Sequence, residues 1–369
     1  MTEAAASDER ILVVRLSAFG DVILTLPALA SLRAARPAAR LAWVVEDRAA
    51  GILRDHPDLD EVIVLPRRAW KERRREHGRA AVLREMRAFG RELARREFDA
   101  SLDFQGNLKS GLVTRAAGAR RRLGFARGST REPNWLFTND RVRPTSPDLH
   151  RSDRDLELVR ALAAEARPAA ARLGIGEADR TAIAHLVAGD PAAPLVVIHP
   201  GTSDFFAQKR WPLERWAVVA ARLAAERGAR VVLSWGPGER EQVDEVRRGA
   251  PAATIADRVL EPLELAALLS EADLVLGSDT GPTHLGSVLG RPTVALFGPY
   301  DPRPLHPHGH PDRARYAALP CSPCRYRDCP RALCMEELGV DEILASAEAA
   351  LDGREAPPGP RAPRKTVAI

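Results

Sequence analysis

The stretch Ser278-Asp279-Thr280-Gly281-Pro282-Thr283-His284-Leu285 gathers hydroxyls, a carboxylate and an imidazole between two apolar runs, Ala272 to Gly277 and Thr293 to Phe297. Read as strand, loop and helix, it aims Thr hydroxyls and the unsatisfied N–H groups of a helix start at one point. Hydrogen bonds and the helix dipole stabilise an anion there, and a diphosphate is the expected occupant. Asp21 is the second candidate. It ends the small loop Ser17-Ala18-Phe19-Gly20-Asp21, between the apolar run Ile11 to Leu16 and the apolar start of a helix, Val22 to Leu26. It could serve only as a helix cap, but the apolar context holds its carboxylate rigidly at the mouth of a strand end.

Arg67, Arg68 and Lys71, beside Trp70, follow the apolar run Glu61 to Leu65. Bases at a strand's carboxyl end suit a phosphorylated acceptor, since Arg binds phosphate in bidentate fashion; the alternative is a solvated helix start. Lys109, in Gln105 to Ser110, and Arg131, in Ser129 to Pro133, occupy similar polar loops. Cys321, Cys324, Cys329 and Cys334 have the spacing C-x2-C-x4-C-x4-C. That spacing is compatible with a structural zinc clip of four thiolates, or with reduced thiols that hold no metal.

The elements that must position these residues alternate strand and helix. A chain of 369 residues with 45% hydrophobic residues suits two cores. We expect an α/β fold of two doubly wound Rossmann-like domains facing a cleft, over residues 8–175 and 190–350, with a junction rich in Ala, Pro and Gly from Arg167 to Pro194 and a disordered tail over 353–369. A helix is expected over 80–96, and four strand-end loops line the second domain's side of the cleft. No G-x-G-x-x-G or G-x-x-x-x-G-K-[ST] follows a strand, which excludes the usual dinucleotide and P-loop sites. The polar N-terminus and the lack of ~20-residue apolar stretches point to a soluble cytoplasmic protein. A net charge of +5 fits a nucleic acid, an anionic membrane or a phosphorylated substrate. With no recognition motif and the bases gathered at strand ends, nucleic acid is set aside.

Six stretches, in order, resemble the bacterial ADP-heptose:lipopolysaccharide heptosyltransferases, glycosyltransferase family 9: Val14 to Leu29; Trp43-Val44-Val45-Glu46; Asp103-Phe104-Gln105-Gly106 with Lys109-Ser110; Arg131-Glu132-Pro133; Lys209-Arg210-Trp211-Pro212; and Asp279 to Leu285 with Phe297 to Pro302. The resemblance implies the GT-B architecture and an inverting transfer of heptose from ADP-L-glycero-D-manno-heptose to the Kdo/lipid A inner core, in the cytoplasm or on the cytoplasmic face of the inner membrane. By the same resemblance Asp21 is the general base on the acceptor hydroxyl. Thr202, Lys209, Glu239, Asp279, Thr280, Gly281 and His284 cradle the ADP donor, with Lys209 on the diphosphate and Glu239 on the ribose. Arg67, Arg68, Lys71, Lys109 and Arg131 bind the phosphates or Kdo carboxylates of the acceptor. No cofactor or divalent metal is demanded, because a lysine and a helix start can neutralise the leaving ADP.

Trp43 to Glu46 and Arg131 to Pro133 are similar to the branch that adds the first heptose, heptosyltransferase I. The cysteine cluster is more like heptosyltransferase II, so another acceptor or donor is an alternative. A non-catalytic nucleotide-sugar or lipopolysaccharide-binding relative is another, although a binder has no need of Asp21 together with Lys209.

Overall fold

The computed structural model describes residues 9–324, 329 and 331–356. Of the tail expected to be disordered over 353–369, the part beyond Ala356 lies outside the described residues, as do parts of the cysteine segment; its first residues are packed, with Ala356 buried and its N–H donating to Asp312 (2.9 Å). The chain divides after Gly174 into two compact units.

The first unit runs β1 (Arg10–Val14), α1 (Phe19–Ala35), β2 (Arg40–Glu46), β3 (Glu61–Leu65), α2 (Arg67–Ala94), β4 (Ala100–Asp103), α3 (Leu108–Ala116), β5 (Arg121–Phe125), β6 (Asp140–Val142) and α4 (Arg151–Leu162). Its six strands are ordered β3-β2-β1-β4-β5-β6, every neighbouring pair parallel.

The second unit runs α5 (Glu177–Val187), β7 (Leu195–His199), α6 (Leu213–Arg227), β8 (Arg230–Leu233), α7 (Arg240–Gly249), β9 (Thr254–Ile255), α8 (Pro262–Glu271), β10 (Leu274–Ser278), α9 (Gly281–Val288), β11 (Thr293–Phe297), β12 (Ala314–Tyr316), α10 (Leu333–Glu336) and α11 (Val340–Leu351). Its sheet is ordered β12-β11-β10-β7-β8-β9, again all parallel. Renumbered from its own first strand, it has the same order as the first unit, the doubly wound 3-2-1-4-5-6.

Helices cover both faces of such sheets, so central strands read as unbroken apolar runs. The residues Ile11 to Val14, Val196 to Ile198 and Leu274 to Leu276 are accordingly fully buried or nearly so. The first core joins Leu12, Val14, Val44 and Leu65 to Leu93 and Phe98. The second joins Val196, Ile198 and Leu276 to Trp211 and Trp216, two fully buried indoles packed edge to face at 4.8 Å. In each sheet the strand order reverses between the first and fourth strands, and the loops beyond their carboxyl ends form the crevice where such folds bind ligands.

Three differences from the sequence reading stand out. The helix expected over 80–96 begins at Arg67. The expected junction contains α5, which the Ala and Gly content obscured; its start is set by Gly176, whose N–H donates to Asp179 (2.9 Å), and Ile183 and Leu186 bury its inner face. The strands β6, β9 and β12 are sheet edges of two or three residues, too short to show a hydrophobic period.

Candidate active site

In the second unit the reversal lies between β7 and β10. After β10 the chain turns directly into α9, with Thr280 as an extended N-cap and Pro282 in the first turn, where a missing N–H costs nothing. Thr283 donates its hydroxyl back to the Ser278 carbonyl (2.7 Å), which fixes the turn. That closure requires glycine at 277, because a Cβ there would meet Thr283 Oγ1 at 2.3 Å. The Thr280 hydroxyl lies 3.3 Å from that of Thr283.

Asp279 sits at the centre of this turn. Its Oδ1 is 2.9 Å from His284 Nε2, and its Oδ2 and backbone carbonyl accept from Lys209 Nζ at 2.6 and 2.9 Å. Burial pushes the Asp279 carboxyl up, but the Lys209 ammonium and then His284 outweigh it and hold the group well below the usual carboxylate range. Lys209 arrives from the loop after β7 and lies over two rings, 4.4 Å from the centre of Tyr300 and 4.9 Å from that of Phe206. Thr202, in the same loop, is buried, and its hydroxyl faces the Phe206 carbonyl at 3.4 Å.

Glu239 is also buried, at the end of the loop after β8. Its Oε2 accepts from the Gly236 N–H (2.7 Å) and lies 3.3 Å from His199 Nε2, while His199 Nδ1 is 3.1 Å from Ser234 Oγ. Burial acts upward on the Glu239 carboxyl, yet His199 and then the Gly236 N–H keep it below its ordinary value. Every residue expected to bind the donor thus lies on the strand-end loops of one sheet or, for Gly281 and His284, in the start of α9 that follows one of them.

In the first unit the reversal lies between β1 and β4. Asp21 is in the first turn of α1, where its Oδ2 accepts from the Ala18 N–H at 3.3 Å, so the carboxylate does cap the helix. It also has two arginine partners. Arg15 NH2 is 3.4 Å from Asp21 Oδ1, and Arg151, the first residue of α4, forms an ion pair with the same oxygen. Behind them Thr25 Oγ1 is 2.7 Å from Oδ2 of the buried Asp155, whose carboxyl burial pushes up and nearby Arg15 opposes.

The acceptor candidates separate into two groups. Arg67 and Lys109 meet on one oxygen of the buried Glu46, at the end of β2, with Arg67 NH1 at 2.9 Å. Arg68, Lys71 and Arg131 are exposed. Arg68 is anchored by its backbone N–H, which donates to Asp47 (2.8 Å), and Glu132 beside Arg131 accepts from the Leu108 N–H at the start of α3 (2.8 Å).

Arg15, Arg151, Asp155, His199 and Tyr300 were not among the expected site residues. Arg15 carried a signal, a charged residue inside an otherwise apolar strand run; Arg151 is one arginine among many.

The four cysteines are free thiols. Cys334, in α10, is buried, while Cys321 and Cys329 are exposed. Burial, followed by the neighbouring Cys324, Cys321 and Cys329, pushes the Cys334 thiol up to about 11. Among the described residues no three cysteine sulfurs converge on a common point.

The description of glycosyltransferase family 9 (heptosyltransferase) matches residues 86–334. The lipopolysaccharide heptosyltransferase 1 of Pseudomonas aeruginosa is 34% identical over 323 residues, 87% of either chain. That of Escherichia coli K12 is 31% identical over 300 residues, 79% of this chain and 89% of its own. The solved structure of E. coli heptosyltransferase WaaC with ADP-2-deoxy-2-fluoro heptose superposes with a TM-score of 0.65 at 30% identity, covering 79% of this chain and 90% of that one. With two doubly wound sheets of GT-B type, this chain is a glycosyltransferase and belongs to family 9, the heptosyltransferases.

Proposed function

We propose that the protein transfers a heptose from ADP-L-glycero-D-manno-heptose to the Kdo/lipid A inner core, with inversion at the anomeric carbon. The observation that carries the reading is the second unit's constellation of Lys209, Asp279, His284 and the α9 start. The named activity of the lipopolysaccharide heptosyltransferase 1 relatives and the ADP-sugar held by WaaC support it.

The second unit takes the nucleotide. Lys209 and the first-turn N–H groups of α9 meet the diphosphate, and Glu239 accepts from the ribose hydroxyls. The first unit takes the acceptor, whose anionic groups are met by Arg67 and Lys109, with Arg68, Lys71 and Arg131 as outer cations. The acceptor hydroxyl oxygen bonds to the anomeric carbon as the bond from that carbon to the β-phosphate oxygen breaks. The hydroxyl proton passes to Asp21, and ADP leaves with the bonding pair, its charge offset by Lys209 and the helix dipole. Arg15 and Arg151 both pair with Asp21 Oδ1, so productive binding of the acceptor draws Arg151 off the carboxylate.

The acceptor is lipid-linked, which places the enzyme peripherally on the cytoplasmic face of the inner membrane; no helix among the described residues is long and apolar enough to cross a membrane. The direct test is ADP release on mixing the protein with ADP-heptose and deacylated Kdo2-lipid A. Release by the wild type that Asp21→Ala abolishes supports the reading. Absence of release with this pair refutes it, and release only with a heptosylated acceptor moves the protein to the second-heptose branch.

A further inference from the structure

The helix α2 holds ten Lys and Arg against four Asp and Glu, a net charge of +6 within a chain whose total is +5. The other 341 residues therefore sum to −1, and the chain's basic character belongs to this one element. The helix is not straight. Gly78, at φ 77°, is in the left-handed region and breaks it into two limbs. Arg73 Nε donates to Glu85 Oε1 at 2.8 Å, and Trp70 packs edge to face on Phe89 at 5.7 Å. Residues twelve apart in a continuous helix stand roughly 18 Å apart along its axis, so these contacts mean that the second limb doubles back along the first.

The turn of this hairpin is exposed throughout residues 71–80. Arg74, Arg75, Arg79, Arg84 and Arg87 pair with no carboxylate among the described residues, and Leu83 and Met86 stand 45% and 44% exposed between them.

We propose that the α2 hairpin is the surface by which this protein docks on an anionic lipid bilayer. Unpaired arginines with exposed aliphatic side chains match such a surface twice over: the cations meet lipid phosphates and the aliphatic groups enter the headgroup boundary. Single-stranded nucleic acid would call for exposed aromatic stacking platforms, and the hairpin's two aromatic residues are spent on each other. The same helix begins at Arg67, which shares the Glu46 carboxylate with Lys109, so docking the hairpin brings the proposed acceptor cations to the membrane surface. The inference rests on the reading that the acceptor is a membrane glycolipid.

The test is vesicle flotation of the full chain, with neither donor nor acceptor present, on phosphatidylcholine alone and on phosphatidylcholine with phosphatidylglycerol. The expected result is salt-sensitive binding, at least about tenfold tighter to the anionic vesicles. Arg74→Glu with Arg75→Glu and Arg79→Glu should abolish that preference, the three Arg→Gln changes should reduce it, and Leu83→Ser with Met86→Ser should weaken binding to anionic vesicles. Thermal unfolding unchanged from wild type certifies each fold. Equal binding to both vesicle types, undiminished binding by a folded triple variant, or tighter binding to a homopolymeric RNA than to anionic vesicles would overturn the proposal. Turnover on soluble deacylated acceptor, measured separately, should stay at the wild-type rate in the hairpin variants; its absence in every protein would count against the transfer reaction and leave the vesicle result standing.

Discussion

Lys209 aims its ammonium at Asp279, with Nζ 2.6 Å from Oδ2, in a pair whose side chains are only 13% and 4% exposed. Removing one member of so buried a pair strands the other charge, at a cost of about 3–5 kcal/mol. Lys209→Met should therefore lower the second unit's unfolding free energy by that order as well as weaken ADP binding. Adding Asp279→Asn should recover part of the stability without restoring ADP affinity. Denaturant unfolding and calorimetric titration with ADP separate the two effects.

The same pair sets an acid limit. Asp279 titrates lower in the folded protein than in the unfolded chain, where the ordinary value is about 3.9. Its contribution is therefore fully present above that value and is lost as pH falls through the depressed folded value. Wild-type stability should decline with acid below about pH 4, and the Lys209→Met, Asp279→Asn double variant should lack this component of the decline. Urea midpoints measured over descending pH check it.

Base and cradle should respond differently to mutation. Asp21→Asn should lower kcat by about 10²- to 10⁴-fold with donor KM little changed. Thr280→Val and His284→Ala should act chiefly on donor KM. Steady-state kinetics showing the reverse pattern would place the base in the wrong unit.

Glu46 holds Arg67 and Lys109 in one place. Glu46→Gln loosens both cations. The expected outcome is a roughly tenfold rise in acceptor KM, on the order of 1.4 kcal/mol, with donor KM unchanged.

Much of this was readable from residue order. The proposed diphosphate site is a local object, since Asp279, Thr280, Thr283 and His284 fall within six residues and their geometry follows from one strand-to-helix turn. The central strands were legible because burial on both faces leaves unbroken apolar runs. The partners of Asp21 were hidden for the opposite reason. Arg151 lies 130 residues away in a chain crowded with arginine, and only the packing of α4 beside α1 selects it. The start of α2 was obscured by its polarity, since a helix that buries only Val82 and Leu93 shows almost no apolar period.

The shared strand order of the two units carries a consequence for how the protein can change. Each unit closes its own sheet over its own core, and its ligand loops hang from that sheet alone. If the loops after β2, β3 and β4 hold the acceptor as proposed, substitutions there leave the strands of the second sheet unrepacked. The division near Gly174 therefore gives natural drift and laboratory recombination two separable cores on which to act.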